Sequence, residues 1–456
     1  MKSIHRSRGM CEWDNFNEAS HLMRTLLAQG TPGVLSPFHL LSEPSMSPQN
    51  QRDCSELWSK DKLQSAEIVS APHRFQFSRH ENRKIRVGYL SNDFQEHATS
   101  LLLIEMFEAH NRDRFELYAY SYGAEDHNAM RQRLQGVFHD FQNIGDRTDS
   151  QAACAIHSDG IDILVDLKGY TQNSRTSIMM LHPAPIQVNY LGYPGTLGAD
   201  ICDYIITDTF LTPSDQSLDY SESFAYMPHS YQPHGRKSPV GIKPQRKDVG
   251  LPDTGFVFCC FNQAFKLTPD IFSVWCRLLE LIPDSVLWLL DTNLARGNLR
   301  NEAMRRGIAA QRIVFAPDVA QIEHLGRLQL ADLVLDTFPY GAHTTASDAL
   351  WSGVPIVTYA GETFPSRVAG SLLHAVGMPE LIAHTLEDYF DVALDLATNP
   401  AKLATLHKHL IEHRHTMPLF DVHGYTHDIE NLFEQMWQRY ADGLPHAEIS
   451  TRPLSS

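Results

Sequence analysis

The sequence predicts an α/β protein with two doubly wound, parallel-sheet domains that face a cleft. Apolar runs of strand length recur along the chain, and segments of helix length separate them. The alternation stops once, at residues 230–252, in a stretch rich in Pro, Gly, Lys and Arg. At 456 residues the chain is also too long for a single hydrophobic core. Two Rossmann-like domains joined by a short linker account for all three observations.

The first half of the chain carries five runs of strand type, at residues 84–90, 115–121, 161–167, 186–191 and 204–208. A helix is predicted between the first two, at residues 100–110. Strands that alternate with helices form parallel sheets, because a parallel connection has to cross back over the sheet. Before residue 80 the pattern is mixed. Residues 17–27 have helical spacing, whereas residues 30–50 are predicted to be irregular because they are rich in Pro, Ser and Gly.

The second half repeats the pattern after the linker. Predicted strands lie at residues 256–261, 286–290, 312–315, 333–336 and 354–359, and an amphipathic helix closes the chain at 430–440. The predicted domains are a helical and irregular segment at 1–80, an N-terminal Rossmann-like domain at 81–230, a linker at 231–252, a C-terminal Rossmann-like domain at 253–425, and a closing helix and tail at 426–456. Ligands of such sheets bind at the carboxyl ends of the strands, so we expect the cleft there.

The composition is that of a globular protein, with 43% hydrophobic and 20% charged residues. The formal net charge of -16 argues against nucleic acid or an anionic membrane surface as the main partner. The 7 cysteines form no C-x-x-C pair, which favours a reducing compartment over a disulfide framework. The sequence has neither the apolar core of a signal peptide nor an apolar run of membrane-spanning length, so we expect a cytoplasmic protein.

One stretch, ADLVLDTFPYGAHTTASDALWSGVPIVTY at residues 331–359, combines a strand, a glycine-containing loop and a helix start. Thr345 and Asp348 have the spacing of a capping box, which predicts that a helix begins there. A helix start presents unpaired backbone N–H groups and the positive end of the helix dipole, and both favour a phosphate. His343 and Thr344 would add side-chain donors. On spacing alone, an ordinary capped helix is an equally good interpretation.

Motifs for several other cofactors are missing from the sequence. There is no G-x-G-x-x-G after the first strand, no P-loop and no H-E-x-x-H. His409 and His413, four residues apart, leave a zinc site open, but a solvated helix face is the simpler interpretation. Lys266 follows the strand at 256–261, where a parallel sheet delivers residues to a ligand, and its charge would neutralise a diphosphate. A surface lysine on a first helical turn is the alternative.

Long segments of the chain are distinctive: VGYLSNDFQEHATS, HSDGIDILVDLKGYT, HPAPIQVNYLGYPGT, FNQAFKLTPDIFSVWCRLLELIPDSVLWLL, EHLGRLQLADLVLDT and HTTASDALWSGVPIVT. In the same order, and over roughly residues 10–440, they resemble the catalytic region of protein O-GlcNAc transferases. The resemblance implies a GT-B-like fold and an inverting, metal-independent glycosyltransferase that moves N-acetylglucosamine from UDP-GlcNAc to Ser or Thr hydroxyls. It implies no cofactor. The implied partners are a UDP-sugar donor and a protein or peptide acceptor, without nucleic acid or membrane.

The resemblance also implies which residues form the site. His97 in DFQEHATS matches the general base, which places the acceptor side in the domain at 81–230. Gln263 and the catalytic Lys266 match contacts to the UDP phosphates and sugar in the domain at 253–425. The matching uridine, ribose and phosphate contacts are Val319, Ala320, Gln321, His324, Arg327, His343, Thr344, Thr345 and Asp348. His157 in IHSDG matches a second histidine of the cleft, and no metal ligand is implied.

The sequence departs from the family in three places. Leu101 stands where eukaryotic members have a second histidine, Gln321 stands where many members have lysine, and no tetratricopeptide repeats precede residue 10. Because those repeats select protein substrates in the longer relatives, the acceptor is the least defined part of the expectation. The alternatives are a protein O-fucosyltransferase or an asparagine glycosyltransferase on the same fold, or a non-catalytic UDP-binding module. His97 and Lys266 are both present, which argues against the last.

Overall fold

The computed structural model describes residues 2–64, 75–79, 83–125, 128–236 and 239–451. The chain forms two compact units. The six-stranded unit combines Met1–Arg24, Leu41–Ser45 and Arg236–Met417, and the eight-stranded unit combines Thr25–Leu40, Met46–Gly235 and Pro418–Ser456. Each unit is therefore assembled from ranges that are not contiguous in the sequence.

The helices of the described chain are, in order, α1 (Lys2–Gly9), α2 (Phe16–Ala28), α3 (Pro37–Leu40), α4 (Pro48–Leu63), α5 (Ala98–Ala109), α6 (Ala129–Val137), α7 (Asp149–Ser158), α8 (Thr176–Met180), α9 (Pro269–Leu281), α10 (Arg296–Arg305), α11 (Gln321–Leu328), α12 (Thr344–Trp351), α13 (Phe364–Ala375), α14 (Leu386–Thr398), α15 (Pro400–His413) and α16 (Val422–Ala441). Among the described residues, no helix is long and apolar enough to cross a membrane.

The sheet of the eight-stranded unit contains β1 (Ile85–Ser91), β2 (Phe115–Ser121), β3 (Asp140–Asn143), β4 (Ile163–Asp166), β5 (Ile186–Asn189), β6 (Tyr204–Asp208), β7 (Ser223–Met227) and β14 (Ile449–Ser450). Its order is β14-β7-β6-β5-β4-β1-β2-β3, and all neighbours are parallel. Every residue of β4, β5 and β6 is buried, as expected of parallel strands whose two faces are covered.

The sheet of the six-stranded unit contains β8 (Val257–Cys260), β9 (Val286–Leu290), β10 (Ile313–Ala316), β11 (Leu333–Leu335), β12 (Ile356–Tyr359) and β13 (Ile382–Ala383). Its order is β10-β9-β8-β11-β12-β13, again with parallel neighbours throughout. The predicted α/β class with two doubly wound parallel sheets is thus confirmed.

Each sheet has one point at which its strand order reverses. In the eight-stranded unit the reversal lies between β1 and β4, and in the six-stranded unit it lies between β8 and β11. The loops that leave two such strands diverge to opposite faces of the sheet and open a crevice at the carboxyl edge. Residues that directly follow β1, β4, β8 and β11 are therefore placed to contact a ligand.

The irregular interpretation of residues 30–50 is wrong in part. The short helix α3 lies inside this range, and α4 begins at Pro48. Ser47 caps α4 through a complete capping box with Asn50. Proline is compatible with the first turn of a helix, where its missing N–H has no partner to lose, so here it marks a helix start.

Candidate active site

Lys266 ends the short turn Ala264–Lys266 that follows β8. Its Nζ donates a hydrogen bond to the carbonyl oxygen of Gly341 (2.8 Å) and lies 3.8 Å from the centre of the Tyr340 ring. Burial lowers the pKa of Lys266 to about 8, and the nearby carboxylate of Asp336 acts in the opposite direction. The ammonium group is thus held, partly dehydrated, against the loop that follows β11. An anion bound at this point would interact with it strongly.

Asp336 directly follows β11 and fixes the loop at residues 337–342. Its carboxylate accepts hydrogen bonds from Thr358 Oγ1 (2.7 Å), Asn262 Nδ2 (3.2 Å) and the backbone N–H of Ala342 (2.6 Å). Burial raises the pKa of Asp336, and these hydrogen bonds counteract the rise. One carboxylate therefore ties together the ends of β8, β11 and β12 and the loop between β11 and α12.

Helix α12 begins after this loop, with His343 at its N-cap position and Thr344 as its first residue. The side chain of His343 makes no capping bond, and Thr345 Oγ1 donates to Asn262 Oδ1 (2.5 Å). The predicted capping box is wrong, because the N-cap is two residues earlier than the spacing implied. Asp348 is instead an acceptor for a residue of α11. The predicted helix itself and its end before Gly353 are confirmed.

The imidazole of His343 is uncharged. Burial, assisted by the charge of Lys266, lowers the pKa of His343 well below its ordinary value. A hydrogen bond from the ring to the backbone carbonyl of Pro365 opposes this effect and uses the single N–H of the neutral imidazole. The groups that can donate to a phosphate oxygen here are the first-turn N–H groups of α12. The positive potential at this point comes from Lys266 and from the helix dipole.

Helix α11 forms a second cluster with α12. Gln321 Nε2 donates to one carboxylate oxygen of Asp348 (3.0 Å), and His324 Nε2 lies 3.9 Å from the other. Arg327 donates to His324 Nδ1 (3.1 Å), and its guanidinium lies 4.7 Å from the ring centre of Phe261. Burial lowers the pKa of His324, with Asp348 opposing. Because Nδ1 accepts from Arg327, the hydrogen of the neutral imidazole lies on Nε2 and faces Asp348.

The remaining predicted residues of the six-stranded unit lie at the same edge of the sheet. Val319 and Ala320 form the turn between β10 and α11, and Ala320 is the exposed N-cap residue of that helix. Gln263 is an exposed N-cap residue directly after β8. The structure therefore gathers the predicted uridine, phosphate and sugar contacts of this unit around the ends of β8, β10 and β11.

In the eight-stranded unit, His97 caps helix α5, and its Nδ1 accepts the backbone N–H of Thr99 (3.2 Å). Asp93 Oδ2 lies 3.5 Å from the same nitrogen, and Lys168 Nζ donates to that oxygen (2.8 Å). Burial lowers the pKa of His97, Asp93 opposes this effect and Lys168 adds to it. The side chain of His97 is 44% exposed, whereas Asp93 and Lys168 are buried. A neutral imidazole thus reaches solvent over a buried ion pair.

The contacts of His97 determine which ring nitrogen carries the hydrogen. While Nδ1 accepts from Thr99, the hydrogen of the neutral ring is on Nε2, and Nε2 can only donate. If the hydrogen moves to Nδ1, Asp93 is positioned to accept it, and Nε2 gains the lone pair of a base. The cluster therefore offers two tautomers, of which only the second is a base at its exposed nitrogen.

The structure does not bring His157 together with His97. His157 lies in the last turn of α7, stacked on Phe75 (4.6 Å between ring centres) and in edge contact with Phe77 (5.4 Å). The loop after α7 is bonded to Arg86, near the amino end of β1. His97 comes after the carboxyl end of the same strand, and that end is about 16 Å from Arg86 at the usual rise per residue. The predicted role of His157 in the cleft stays a prediction.

Three polar residues of these clusters were not predicted from the sequence: Asp93, Lys168 and Asp336. Each of them lies within two residues of the end of β1, β4 or β11. Their signal in the sequence is their position immediately after an apolar run. That signal becomes specific only when the strand order is known.

On α15 the rings of His409 and His413 lie 5.0 Å apart between their centres, and the neighbouring contacts are to backbone carbonyl oxygens. His407 faces two carbonyl oxygens, those of Gly353 (2.7 Å) and Asp332 (2.9 Å), and His409 faces the carbonyl of Val376 (3.0 Å). Within the described ranges, no group of three or more His, Cys, Asp or Glu side chains is arranged to hold a metal ion.

Two doubly wound parallel sheets with polar side chains gathered at each reversal point form a GT-B-like fold. Two solved structures of low sequence identity share this fold. An Anabaena protein in complex with UDP and glucose superimposes with a TM-score of 0.52 at 14% identity, with 77% of this chain and 100% of that chain covered. A sucrose-phosphate synthase of Thermosynechococcus elongatus superimposes with a TM-score of 0.53 at 12% identity, with 78% of this chain and 100% of that chain covered. The chain belongs to glycosyl transferase family 41, because the sequence pattern of that family matches residues 11–237 and 233–429.

Relatives of higher similarity carry related names. The chain is 35% identical over 460 residues to the "Probable UDP-N-acetylglucosamine--peptide N-acetylglucosaminyltransferase SEC" of Arabidopsis thaliana, with 96% of this chain and 47% of that protein covered. It is 31% identical to the UDP-N-acetylglucosamine–peptide N-acetylglucosaminyltransferase of Caenorhabditis elegans, with 83% and 43% covered. The chain thus spans about half the length of these curated relatives. A mutant O-GlcNAc transferase of Thermobaculum terrenum superimposes with a TM-score of 0.80 at 27% identity, with 89% and 76% covered.

Proposed function

We propose that this chain is an inverting, metal-independent glycosyltransferase that moves N-acetylglucosamine from UDP-GlcNAc to Ser or Thr hydroxyls of proteins or peptides. The observation that carries the proposal is the cluster around the ends of β8 and β11. There Lys266, the uncharged His343 and the start of α12 meet at one point. A departing nucleoside diphosphate needs positive charge and hydrogen-bond donors together, and this cluster supplies both.

The donor is assigned to the six-stranded unit. The groups proposed to hold it divide by chemistry into uridine, ribose, phosphate and sugar contacts: Val319, Ala320, Gln321, His324 and Arg327 for the base and ribose, Asp348 for a ribose hydroxyl, His343, Thr344 and Thr345 for the phosphates, and Gln263 for the sugar. Asp348 is already shared between Gln321 and His324, so a ribose hydroxyl would join an existing hydrogen-bond network.

Lys266 is proposed to stabilise the leaving group. With a pKa of about 8, its amine is mostly protonated at neutral pH, and an adjacent diphosphate raises that pKa further. The charge is held in place by Gly341 and the Tyr340 ring before the donor arrives. A preorganised cation of this kind does the work that a bound metal does in other transferases, so we propose that no metal is needed.

His97 is proposed to be the general base. The acceptor hydroxyl oxygen attacks C1 of the sugar from the side opposite UDP, and the bond between C1 and the phosphate oxygen breaks. UDP leaves with that electron pair, and the hydroxyl proton passes to Nε2 of His97. This requires the tautomer in which Nδ1–H points to Asp93, and the imidazolium formed is then stabilised by the same carboxylate. Asp93 and Lys168 are positioning residues in this scheme.

We also infer a cytoplasmic location and no nucleic-acid partner. All 7 cysteines are free, and six of them are buried. The formal net charge of -16 is unfavourable for binding a polyanion.

A panel of nucleotide sugars, offered with a mixed library of short Ser/Thr peptides, tests the proposal. We expect UDP-GlcNAc to be consumed and the sugar to appear on Ser or Thr by mass spectrometry, equally with and without EDTA. Turnover of GDP-fucose alone, or modification of asparagine alone, would contradict the proposed donor or acceptor. Activity that is lost in EDTA and restored by Mg²⁺ or Mn²⁺ would contradict metal independence.

A further inference from the structure

The side chains of Asp93, His97 and Lys168 form a base cluster in the eight-stranded unit. The same unit contains a cavity of about 590 Å³. The described residues that line it belong to the start of α3, the last turns of α4, the loop between β4 and α8, and the first turn of α8. None of the donor residues proposed above contributes to it. Its size is within the range of sites that hold a few side chains of a bound peptide.

Aromatic side chains form the wall of this cavity, and side chains with amide groups lie on its rim. Phe38, Trp58 and Tyr170 form the wall, and the Trp58 and Tyr170 rings meet edge to face at 6.5 Å. Gln172 and Asn173 stand exposed on the rim. Aromatic rings bind apolar side-chain surface at little entropic cost, and a side-chain amide can pair with both the N–H and the C=O of an extended peptide.

The charge of the lining is of one sign. Among the described residues that line the cavity there is no carboxylate, whereas Lys62 is present, with Nζ 5.0 Å from the centre of the Trp58 ring. Among the described residues, Lys62 forms no ion pair. The lining histidine, His39, has a pKa lowered by burial, so Lys62 supplies the positive charge. In a chain with a formal net charge of -16, a pocket with a cation and no anion selects acidic side chains.

The position of the cavity connects it to the proposed chemistry. Lys168 is the second residue of the loop that leaves β4, and the N–H of Thr171 donates back to the carbonyl of Lys168 (3.1 Å). Lys168 in turn holds Asp93 beside His97. The cavity therefore begins one turn of chain from the base cluster, at the same carboxyl edge of the sheet.

We propose that this cavity is an acceptor subsite, which binds an acidic side chain of the peptide a few residues away from the Ser or Thr that is modified. Lys62 would pair with the acidic group, Trp58 and Tyr170 would contact the neighbouring side chain, and Gln172 and Asn173 would bind the peptide backbone. The proposal rests on the proposed function, because it assumes a peptide acceptor.

A charge-reversal experiment tests the subsite. Each peptide has a single Ser acceptor and one test residue, which is Glu, Gln or Lys. Across the set, the test residue occupies each position up to six residues on either side of the Ser. They are offered to the wild type, Lys62→Glu and Lys60→Glu. Lys60 is the matched control, because it is exposed on the same helix and does not line the cavity. Transfer rates are measured with UDP-GlcNAc, and peptide binding is measured separately in the presence of UDP.

We expect the wild type and Lys60→Glu to prefer Glu over Lys by about fivefold in kcat/KM at one or two positions, in line with a partly exposed ion pair. Lys62→Glu should reverse this preference, and its gain with the Lys peptide also shows that it is folded. Trp58→Ala should raise KM for all peptides about tenfold with little change in kcat. Equal preferences in Lys62→Glu and Lys60→Glu would overturn the subsite while leaving the proposed function intact. Binding that depends on residue 62 without any transfer would support the subsite and contradict the proposed function.

Discussion

Lys266 is the single side chain on which the proposed donor chemistry depends most. Lys266→Ala should lower kcat by about a hundredfold or more, because one preorganised charge at the leaving group is removed. The melting temperature should change little, since the Nζ makes one hydrogen bond and one ring contact. In the wild type, UDP affinity should weaken as the pH rises through about 8, where Lys266 loses its proton. Calorimetry and turnover measurements across that pH range check both statements.

The matched control is Lys408→Ala, because Lys408 lies exposed on α15 in the same unit. It should retain wild-type turnover and wild-type UDP affinity. A folded Lys266→Ala protein with near-normal kcat would remove this lysine from the leaving-group role.

Lys168 acts on His97 through Asp93, so its effect should be visible in a pH profile. Lys168 contributes to lowering the pKa of His97, and Lys168→Met removes that contribution. The pKa of His97 then rises, and because only the neutral ring is a base, the acidic limb of the kcat profile should move to higher pH. Lys168→Arg keeps the charge and should return the limb towards its wild-type position.

A purely structural role for Lys168 would lower activity at every pH without moving the limb. The position of the limb is therefore the decisive observation. If Lys168→Met and wild type have the same acidic limb, the link from Lys168 to His97 does not exist.

At the scale of elements, Asp336 joins three strand ends and the loop before α12. Asp336→Ala would leave Thr358 Oγ1 and the N–H groups of Thr337 and Ala342 without their buried acceptor. The free energy of unfolding should fall by about 3 kcal/mol or more, since each buried unsatisfied group is costly. The loss in the free energy of unfolding is measured by hydrogen exchange of β8 and β11 at increasing concentrations of urea.

Glu280→Ala is the control for this substitution, because Glu280 is exposed on α9 in the same unit. Its effect should stay within about 0.5 kcal/mol. Equal stability of the two variants would show that the loop holds its shape without the Asp336 carboxylate.

Some strands were predicted from the sequence with their full bounds. The observed bounds of β2, β6 and β9 equal the predicted ranges, and nearly all residues of these strands are buried, as expected of parallel strands with both faces covered. The strands β3, β7, β13 and β14 were not predicted. Two of them, β13 and β14, have two residues each, and they exist because a neighbouring strand pairs with them. Pairing of this kind leaves no periodic pattern in the sequence.

The candidate site divides in the same way. Lys266 and His97 could be found from the sequence, because each follows an apolar run and lies in a family motif. Asp93 and Lys168 lie 75 positions apart and meet only because β1 and β4 are neighbours. Strand order is a property of the whole sheet, and local spacing does not encode it. The capping-box error has a similar origin, since a contact with Asn262 takes up the hydroxyl of Thr345.

At the scale of the molecule, the eight-stranded unit is closed by a helix from the far end of the chain. His110, at the end of α5, meets Glu430 of α16 with 2.9 Å between Nδ1 and Oε1, across 320 positions of sequence. Tyr89 Oη lies 3.2 Å from the other ring nitrogen, and the N–H of Asn111 also donates to Glu430. A fully buried histidine therefore sits where the start and the end of this unit are joined.

This junction predicts that acid destabilises the eight-stranded unit in two steps. Burial lowers the pKa of His110. The hydrogen bond that the ring donates to Glu430 and the charge of that carboxylate oppose this effect, while Arg112 adds to the lowering. The folded unit keeps the ring neutral, whereas the unfolded chain binds a proton with a pKa of about 6.5. Stability that is present above about pH 6.5 is therefore lost as the pH falls below it. Burial raises the pKa of Glu430, but the hydrogen bonds from His110 and Asn111 outweigh this effect, so the pKa is lowered overall. The stability that Glu430 contributes is therefore lost only below about pH 4.3.

His110→Gln should remove the first of these steps, because the variant has no ring to protonate. Hydrogen exchange in β1 and β2, corrected for intrinsic rates, should show a flatter loss of protection below about pH 6.5 than in the wild type. His423→Gln, at an exposed position of α16, should keep the wild-type slope. Exchange is read strand by strand because a chain with two compact units need not unfold in one transition. If His110→Gln and the wild type lose protection with the same slope, acid sensitivity of this unit arises from groups other than the buried histidine.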